Sequence, residues 1–177
     1  MENHMPAHLA IAALIGSLFF ASQDNSPSLK LFTPQKGDFS VLLPETPKDR
    51  VVSSGGEKLT QWYIGRPTGS YVLTQVLNNE MRNADDETAD RALKKGQRSV
   101  QSQLKAKLVS EQKIKLDGKY PGREFVLEFV DKDKPRLLRS RIYAVNGVQF
   151  QIILVGDKDY AQSPEADQVF NSFGLKK

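Results

Sequence analysis

The chain has 177 residues, 39% of them hydrophobic and 26% charged, with 12 Gly, 9 Pro, no Cys and a formal net charge of +4. That length fits a single domain with an ordinary apolar core. The composition excludes wholesale disorder, a collagen-like repeat, a disulfide scaffold and a multi-span membrane protein.

Residues 9–21 (LAIAALIGSLFFA) contain no charge. A bilayer-spanning helix needs about 20 apolar residues and a secretory h-region about 7–15, so this run predicts a signal peptide over residues 1–21. The stretch before it, MENHMPAH, carries Glu2 and no Lys or Arg, and Phe19 occupies a position where cleavage after Ala21 favours a small residue. An uncleaved, short membrane-associated helix is the alternative. No Cys follows the run, which excludes a lipid-anchored lipoprotein. Residues 22–36, opening with the polar SQDNSPSLK, read as a linker, and the domain is expected over 37–177. Export places the protein outside the cytoplasm or in the periplasm, with no transmembrane span once the leader is removed.

Both histidines, His4 and His8, lie in the leader, so the exported domain has neither His nor Cys. A His general base, a Cys nucleophile and Cys/His zinc ligation are thereby excluded. Catalysis would be left to carboxylates, Lys, Tyr or Ser.

The domain opens with a strand in which Phe39, Val41 and Leu43 share a face, followed by a corner at Pro44 and Pro47. Residues 49–53 are expected to pair back across a turn at 54–56 onto a strand over 59–65 (LTQWYIG), with another strand over 70–78 (SYVLTQVLN). Asn83-Ala-Asp-Asp then begins a long helix, where Asp85, Asp86 and Glu87 meet the free N–H groups and the positive end of the dipole. Ala89, Leu93, Val100, Leu104 and Leu108 recur at helical spacing as its buried stripe, and Gly96 suggests close packing.

Strands follow over 109–116, 123–130, 137–145 and 148–155. Asn146-Gly147 between the last two is a strong hairpin signal, because both turn positions need positive φ. It aligns Tyr143 with Phe150 and Arg141 with Ile152. Ser163-Pro164-Glu165 caps a short final helix with Ala166, Val169 and Phe170 facing inward and Gly174 ending it. The order of elements predicts an α+β domain, an antiparallel β-sheet flanked by helices. The strand over 148–155 is apolar on both sides, so both faces of the sheet should be covered there.

Several blocks together resemble one family: Phe39-Ser-Val-Leu-Leu-Pro, then Gly118-Lys-Tyr-Pro-Gly-Arg-Glu-Phe125, Arg141-Ile-Tyr143 with the Asn-Gly hairpin, Gln151 and Gly156, and Phe170-Asn-Ser-Phe173. The chain resembles the secreted bacterial PsbP-like proteins, relatives in fold of the photosystem II subunit PsbP and of Mog-type Ran-binding proteins. The resemblance spans about residues 37–175, and its most distinctive motif is Tyr120, Pro121, Gly122, Arg123, Glu124 and Phe125. Pro121-Gly122 by itself also reads as a type II turn. What the resemblance implies is a PsbP/Mog-like α/β/α sandwich with a binding or assembly role, no catalytic residues and no cofactor.

Charge is unevenly spread. Residues 91–141 hold 15 Lys or Arg against six Asp or Glu. Arg91, Lys94, Lys95, Arg98 and Lys105 lie away from the helix's apolar stripe and form a basic face. Such a face could dock an anionic envelope surface or an acidic protein; a solvated helix face explains it as well. Nucleic acid is not expected as a partner, since the basic face has no aromatics on which bases could stack.

The carboxylates Asp85, Asp86, Glu87 and Asp90 could hold calcium, but their place at a helix start already accounts for them. Asp131-Lys-Asp133 and Asp157-Lys-Asp159 open like calcium loops and lack the Gly and distal Glu that complete one. No metal site follows. Glu124 and Glu128 share a strand face about 13 Å apart, too far for a glycosidase pair, and Arg139 and Arg141 on the next strand are their expected partners. Trp62, Tyr63 and Tyr71 are the remaining candidates for a ligand surface, with sheet packing as the simpler account. The expected function is a non-enzymatic binding or assembly domain. A small-molecule or lipid carrier and a His-free hydrolase using carboxylates or Lys are the alternatives.

Overall fold

The computed structural model describes residues 28–54, 57–78 and 81–176. The expected leader (1–21), part of the linker and the centre of the 54–56 turn lie outside those residues. The elements run β1 (Lys30–Phe32), β2 (Phe39–Leu43), β3 (Lys48–Ser54), β4 (Glu57–Gly65), β5 (Gly69–Leu77), α1 (Asp86–Gln103), β6 (Lys107–Leu116), β7 (Tyr120–Asp131), β8 (Lys134–Val145), β9 (Val148–Gly156), α2 (Lys158–Ala161), α3 (Pro164–Asn171) and β10 (Gly174–Leu175). A seven-stranded antiparallel sheet has the order β3-β4-β5-β9-β8-β7-β6. A small sheet, β1-β2-β10, lies apart from it. The α+β architecture is as the sequence pattern requires.

Alternation along the strands sorts side chains into two cores. On one face Phe39 of β2, Trp62, Tyr71, Leu73, Tyr143, Phe150, Ile152 and Leu154 pack with Ala166, Val169 and Phe170 of α3. Phe173 sits at the centre of this core, stacked on Tyr143 and on Phe39 at 5.5 Å between ring centroids in each case. On the other face Ala89, Leu93 and Val100 of α1 meet Phe125, Leu127, Leu138, Ile142 and Ile153. β9 is buried along nearly its whole length, because it runs through the middle of the sheet with a core on each side.

The helix starts and hairpin turns follow their local chemistry. Asp85 is the N-cap of α1 and accepts from the Thr88 N–H at 2.7 Å. Ser163 caps α3 through the Ala166 N–H, with Pro164 in its first turn. Asn146 and Gly147 both have positive φ (49° and 83°) in the β8–β9 turn, and Tyr143 faces Phe150 and Arg141 faces Ile152 as the turn demands.

Other boundaries differ from the sequence reading. β1 and β10 were not expected, and β1 falls inside the stretch read as linker. Helix α1 stops at Gln103, with Leu104 as C-cap. Lys105 (φ 50°) follows in the left-handed conformation, and its N–H reaches the Ser102 carbonyl while the Ala106 N–H reaches that of Gln101. These two bonds are the Schellman pattern that ends a helix. Lys105 and Leu108 therefore do not belong to α1, and Leu108 is on β6. Pro121-Gly122 is not a turn: both residues lie in β7, paired with Lys115 and Ile114 of β6. The turn is earlier, at Asp117 and Gly118, both with positive φ. Gly174 does not end α3; Ser172 does, and Gly174 begins β10.

The Asn-Gly turn gives the first testable expectation. A Cβ at Gly147 would stand 3.0 Å from Cβ and 3.2 Å from Cα of Arg82. Gly147→Val combines that crowding with a φ that β-branched residues resist, and should cost about 1 kcal/mol or more, roughly 2–4 °C in Tm for each kcal/mol. Asn146→Gly keeps the backbone freedom and should leave Tm nearly unchanged. Thermal unfolding followed by circular dichroism measures both.

Candidate functional site

The basic residues named from the sequence do not make a uniform stripe on α1. Arg91 is exposed and shares its charge with Glu87 one turn back, at 3.5 Å. Lys94 is half-buried and turns toward Glu111 of β6 at 3.5 Å. Lys95 and Arg98 are exposed and form no ion pair among the described residues. Lys105, also exposed, stands past the helix end in the left-handed turn.

Beneath this face lies a network that sequence reading missed. Arg123 of β7 is only 3% exposed. Its guanidinium pairs with Asp90 of α1 and with Glu111 at 2.9 Å, while its Nε donates to Gln97 of α1 at 3.2 Å. Lys113 reinforces Asp90 at 2.9 Å, and Gln97 also donates to Glu111 at 2.8 Å. Burial works to raise the Asp90 pKa, but hydrogen bonds and charge from Lys113 and Arg123 outweigh it and hold the carboxyl below its ordinary range. The Gln97 amide is the main cause that keeps Glu111 ionised, with Arg123 and Lys94 adding to it. Asp86 pairs with Lys115 at 2.8 Å. Of the helix-start carboxylates, Asp85 caps α1, while Asp86, Glu87 and Asp90 form ion pairs.

Between α1 and the β6–β7 turn is an open groove of about 470 Å³. Ile114, Pro121 and Gly122 line it together with Asp86, Asp90, Lys113 and Lys115. Asp86–Lys115 and Asp90–Lys113 pair within it, and Glu87, which also lines it, pairs with Arg91 outside.

The next residue, Glu124, points to the opposite face. It is 8% exposed and accepts from Arg139 at 3.0 Å and Arg141 at 2.7 Å, the cross-strand pairing expected from sequence. Burial pushes its pKa up, and the two guanidinium groups more than offset this and leave it lowered. Arg141 also donates to the Phe170 carbonyl of α3 at 2.8 Å, and Arg139 pairs with Asp167 of α3 at 2.6 Å. Both guanidinium groups lie over the Phe170 ring, at 4.6 and 5.7 Å from its centroid. Gly122 allows this face to close, since a Cβ there would fall 2.4 Å from the Tyr143 ring. The motif Tyr120 to Phe125 is therefore a docking segment for helices on both faces of the sheet.

At the far end of the sheet, Tyr160 of α2 donates to Glu165 at 3.1 Å, and Arg66 meets the same carboxylate at 3.2 Å. Burial pushes the Tyr160 hydroxyl up to about 12 and raises that of Tyr71 as well. Both remain neutral near pH 7 and act as packing groups. Trp62 and Tyr71 are core residues, and Tyr63 lies under Arg50 at 5.0 Å. Among the described residues, no group of three acidic side chains is arranged to hold a metal ion, and no helix is long and apolar enough to cross a membrane.

Several solved structures resemble this chain at low sequence identity. The chain is similar to cyanobacterial PsbP (CyanoP) from Synechocystis sp. PCC 6803, with a TM-score of 0.60 and 16% identity over 90% of this chain and 99% of that one. It is also similar to PA94 of Pseudomonas aeruginosa, a protein of unknown function (TM-score 0.46, 12% identity, 81% and 91% covered). LpqN of Mycobacterium tuberculosis, involved in cell envelope biogenesis, aligns with a TM-score of 0.41 at 12% identity over 89% of each chain. No family model and no curated protein sequence matches the chain. The fold is PsbP-like, as the sequence blocks implied.

The ion pairs predict a pH dependence. Asp90, Glu111 and Glu124 have native pKa values below those of the unfolded chain, so their stabilisation is full above the ordinary carboxylate range of about 4. It is lost as the pH falls through the lowered native values. Arg123→Met removes a buried charge from between two carboxylates and should cost about 3 kcal/mol at pH 7. The deficit should shrink as the pH falls through the lowered native values, where the wild type loses the same interactions. Urea unfolding of both proteins between pH 7 and pH 3 measures it.

Proposed function

We propose that this protein is an exported, non-enzymatic PsbP-like binding module that docks on an anionic envelope surface through the α1 side of the domain. The single observation that carries the reading is the division of charge on that side. Its carboxylates Asp86, Asp90 and Glu111 are held by Lys115, Lys113, Arg123 and Lys94, and Asp85 caps the helix. Lys95, Arg98 and Lys105 are left exposed without an ion pair among the described residues, next to an Arg91 whose surface pair with Glu87 is weak. Cations without local partners are the groups that attract an anionic surface.

The non-enzymatic part of the reading is supported by what the buried ionisable groups do. Glu124 is saturated by two guanidinium groups, and Tyr71 and Tyr160 are held neutral. A carboxylate fully engaged in this way is poorly placed to accept a substrate proton. Export rests on the uncharged run at residues 9–21, with residues 1–21 removed and the domain following. Intact mass of the protein purified from its native host tests this: a product beginning near Ser22 outside the cytoplasm is expected, and a full-length cytoplasmic product would refute it.

Docking is tested with vesicles. The native protein should sediment with vesicles rich in an anionic phospholipid at low salt, and release as ionic strength passes about 0.15 M, where the Debye length is about 8 Å. Replacing Lys95, Arg98 and Lys105 with Gln should weaken binding at least severalfold and leave Tm nearly unchanged, because the side chains are exposed. Absence of binding at low salt would eliminate the proposal. Binding to an acidic polypeptide in place of vesicles would reassign the surface to an acidic protein.

A further inference from the structure

The seven-stranded sheet has two open edges, β3 and β6. β6 is the longer, ten residues against seven, and its side chains are exposed from Val109 to Lys113. An edge strand offers a row of main-chain N–H and C=O groups to any strand that can lie beside it. Proteins guard such edges with bulges and charges, and β6 has both. Its register with β7 shifts between Leu108 and Ser110, and Lys107, Glu111, Lys113 and Lys115 lie along it. The spacing of those charges decides whether they repel a partner strand or select one.

We propose that β6 pairs antiparallel with β6 of a second copy of this chain, about a two-fold axis that passes Gln112 perpendicular to the sheet. Such an interface is self-complementary, and directly opposed residues project to the same side. With Gln112 at the axis, Glu111 stands opposite Lys113 of the second copy, Lys113 opposite its Glu111, and Ser110 opposite its Ile114. Moving the axis to Glu111 sets two carboxylates against each other, and moving it to Lys113 sets two ammonium groups against each other. Of these three registers, the one through Gln112 opposes unlike charges and no like ones. The bulge at Val109 falls just outside the paired residues, 110–114. The edge at β3 has no equivalent match, because a register through Val51 opposes Arg50 with Val52 and Asp49 with Ser53.

The charged groups have capacity left for this contact. Gln97 and Arg123 both donate to Glu111 Oε2, and Oε1 has only Lys94 at 3.5 Å. Lys113 meets Asp90 at 2.9 Å through one of its three N–H donors, and its side chain is 73% exposed. The helices leave room as well. Helix α1 packs chiefly over β7, and the two β7 strands of the joined sheet would lie three strand spacings apart, about 14 Å. Packed helices need only about 8–10 Å between axes, so the two copies of α1 clear each other on the same side of the sheet. On the other side α2 and α3 pack against β2, β8 and β9, away from this edge. The pairing uses none of Lys95, Arg98 and Lys105, so it stands or falls separately from vesicle docking.

The chain has no Cys, so a single introduced thiol reports the interface. In the full chain, Gln112→Cys puts two thiols opposite each other at the axis, within the Cα separation of about 4.4–6.8 Å that a disulfide needs. Under mild oxidation it should give a disulfide-linked dimer about tenfold or more faster than Val51→Cys on β3, which reports random collision. It should outpace Ser110→Cys by a similar factor, since the two copies of residue 110 would lie about 13 Å apart along the strands. Adding Lys113→Gln to Gln112→Cys should slow the cross-link about threefold or more, the loss expected for two exposed ion pairs. All four positions are exposed, so the variants should fold, and association elsewhere on the chain would raise every rate alike. A Gln112→Cys rate no higher than that of Val51→Cys or Ser110→Cys would overturn the pairing. A cross-link that ignores Lys113→Gln would overturn the register.

Discussion

Two adjacent residues of β7, Arg123 and Glu124, carry opposite charges into opposite sides of the sheet, and much of the architecture is arranged to satisfy them. Strand alternation forces neighbouring side chains apart in this way, and neither residue is more than 8% exposed. A buried charge left alone is prohibitively costly, so each side must supply counter-charges at fixed positions. For Arg123 they come from Asp90 of α1 and Glu111 of β6; for Glu124 they come from Arg139 and Arg141 of β8, which in turn grip α3. Apolar surface alone would let α1 and α3 slide over the sheet. These hydrogen-bonded charges specify where each helix stops.

The same constraint explains how much of the fold could be read from sequence. Strands β2, β4, β5, β7, β8 and β9 are visible because their period-two pattern is local, and Asn146-Gly147 fixes the β8–β9 register through a local backbone requirement. The pairing of Glu124 with Arg139 and Arg141 was legible for the same reason, since one hairpin sets those three side by side. Arg123 was opaque: its partners Asp90 and Gln97 lie about thirty residues earlier on a helix, and nothing local says which face of β7 that helix covers. Pro121-Gly122 misled because the dipeptide favours a turn in isolation. In β7 the turn is already made at Asp117-Gly118, and the glycine is needed where the Tyr143 ring lies against the strand. The strands β1 and β10 are two or three residues long and exist only by pairing with β2, which no periodicity can announce.

The basic surface shows a related limit. Counting Lys and Arg over residues 91–141 identifies the region but not which cations remain available. Lys94, Lys113, Lys115 and Arg123 are taken up in holding carboxylates of α1 and β6, and Arg139 and Arg141 are turned to the other face. Exposed beside Arg91 on α1 and its C-terminal turn are Lys95, Arg98 and Lys105, while Lys107, Lys119, Lys132 and Lys134 are exposed on β6 to β8 and the turns between them. The helix spacing that grouped Lys105 with the others was correct only up to Gln103, after which a left-handed residue redirects the chain. Lys105 remains near the basic face through the turn that ends α1, not through helical periodicity.

The sheet has two unlike halves on its α1 side. Over β6, β7 and β8 the buried charge of Arg123 is held by Asp90, Glu111 and Gln97, and α1 packs over it. Over β3, β4, β5 and β9 the strand registers set Arg50, Gln61, Thr74 and Gln151 side by side, with Arg50 bonded to Gln61 and Gln151 to Ser140. Leu59, Val72 and Ile153 lie on the same face of those strands. The two halves are therefore fixed by different means, the β6–β8 half by ion pairs that tie it to α1 and the β3–β5 half by a few hydrogen bonds between neighbouring strands.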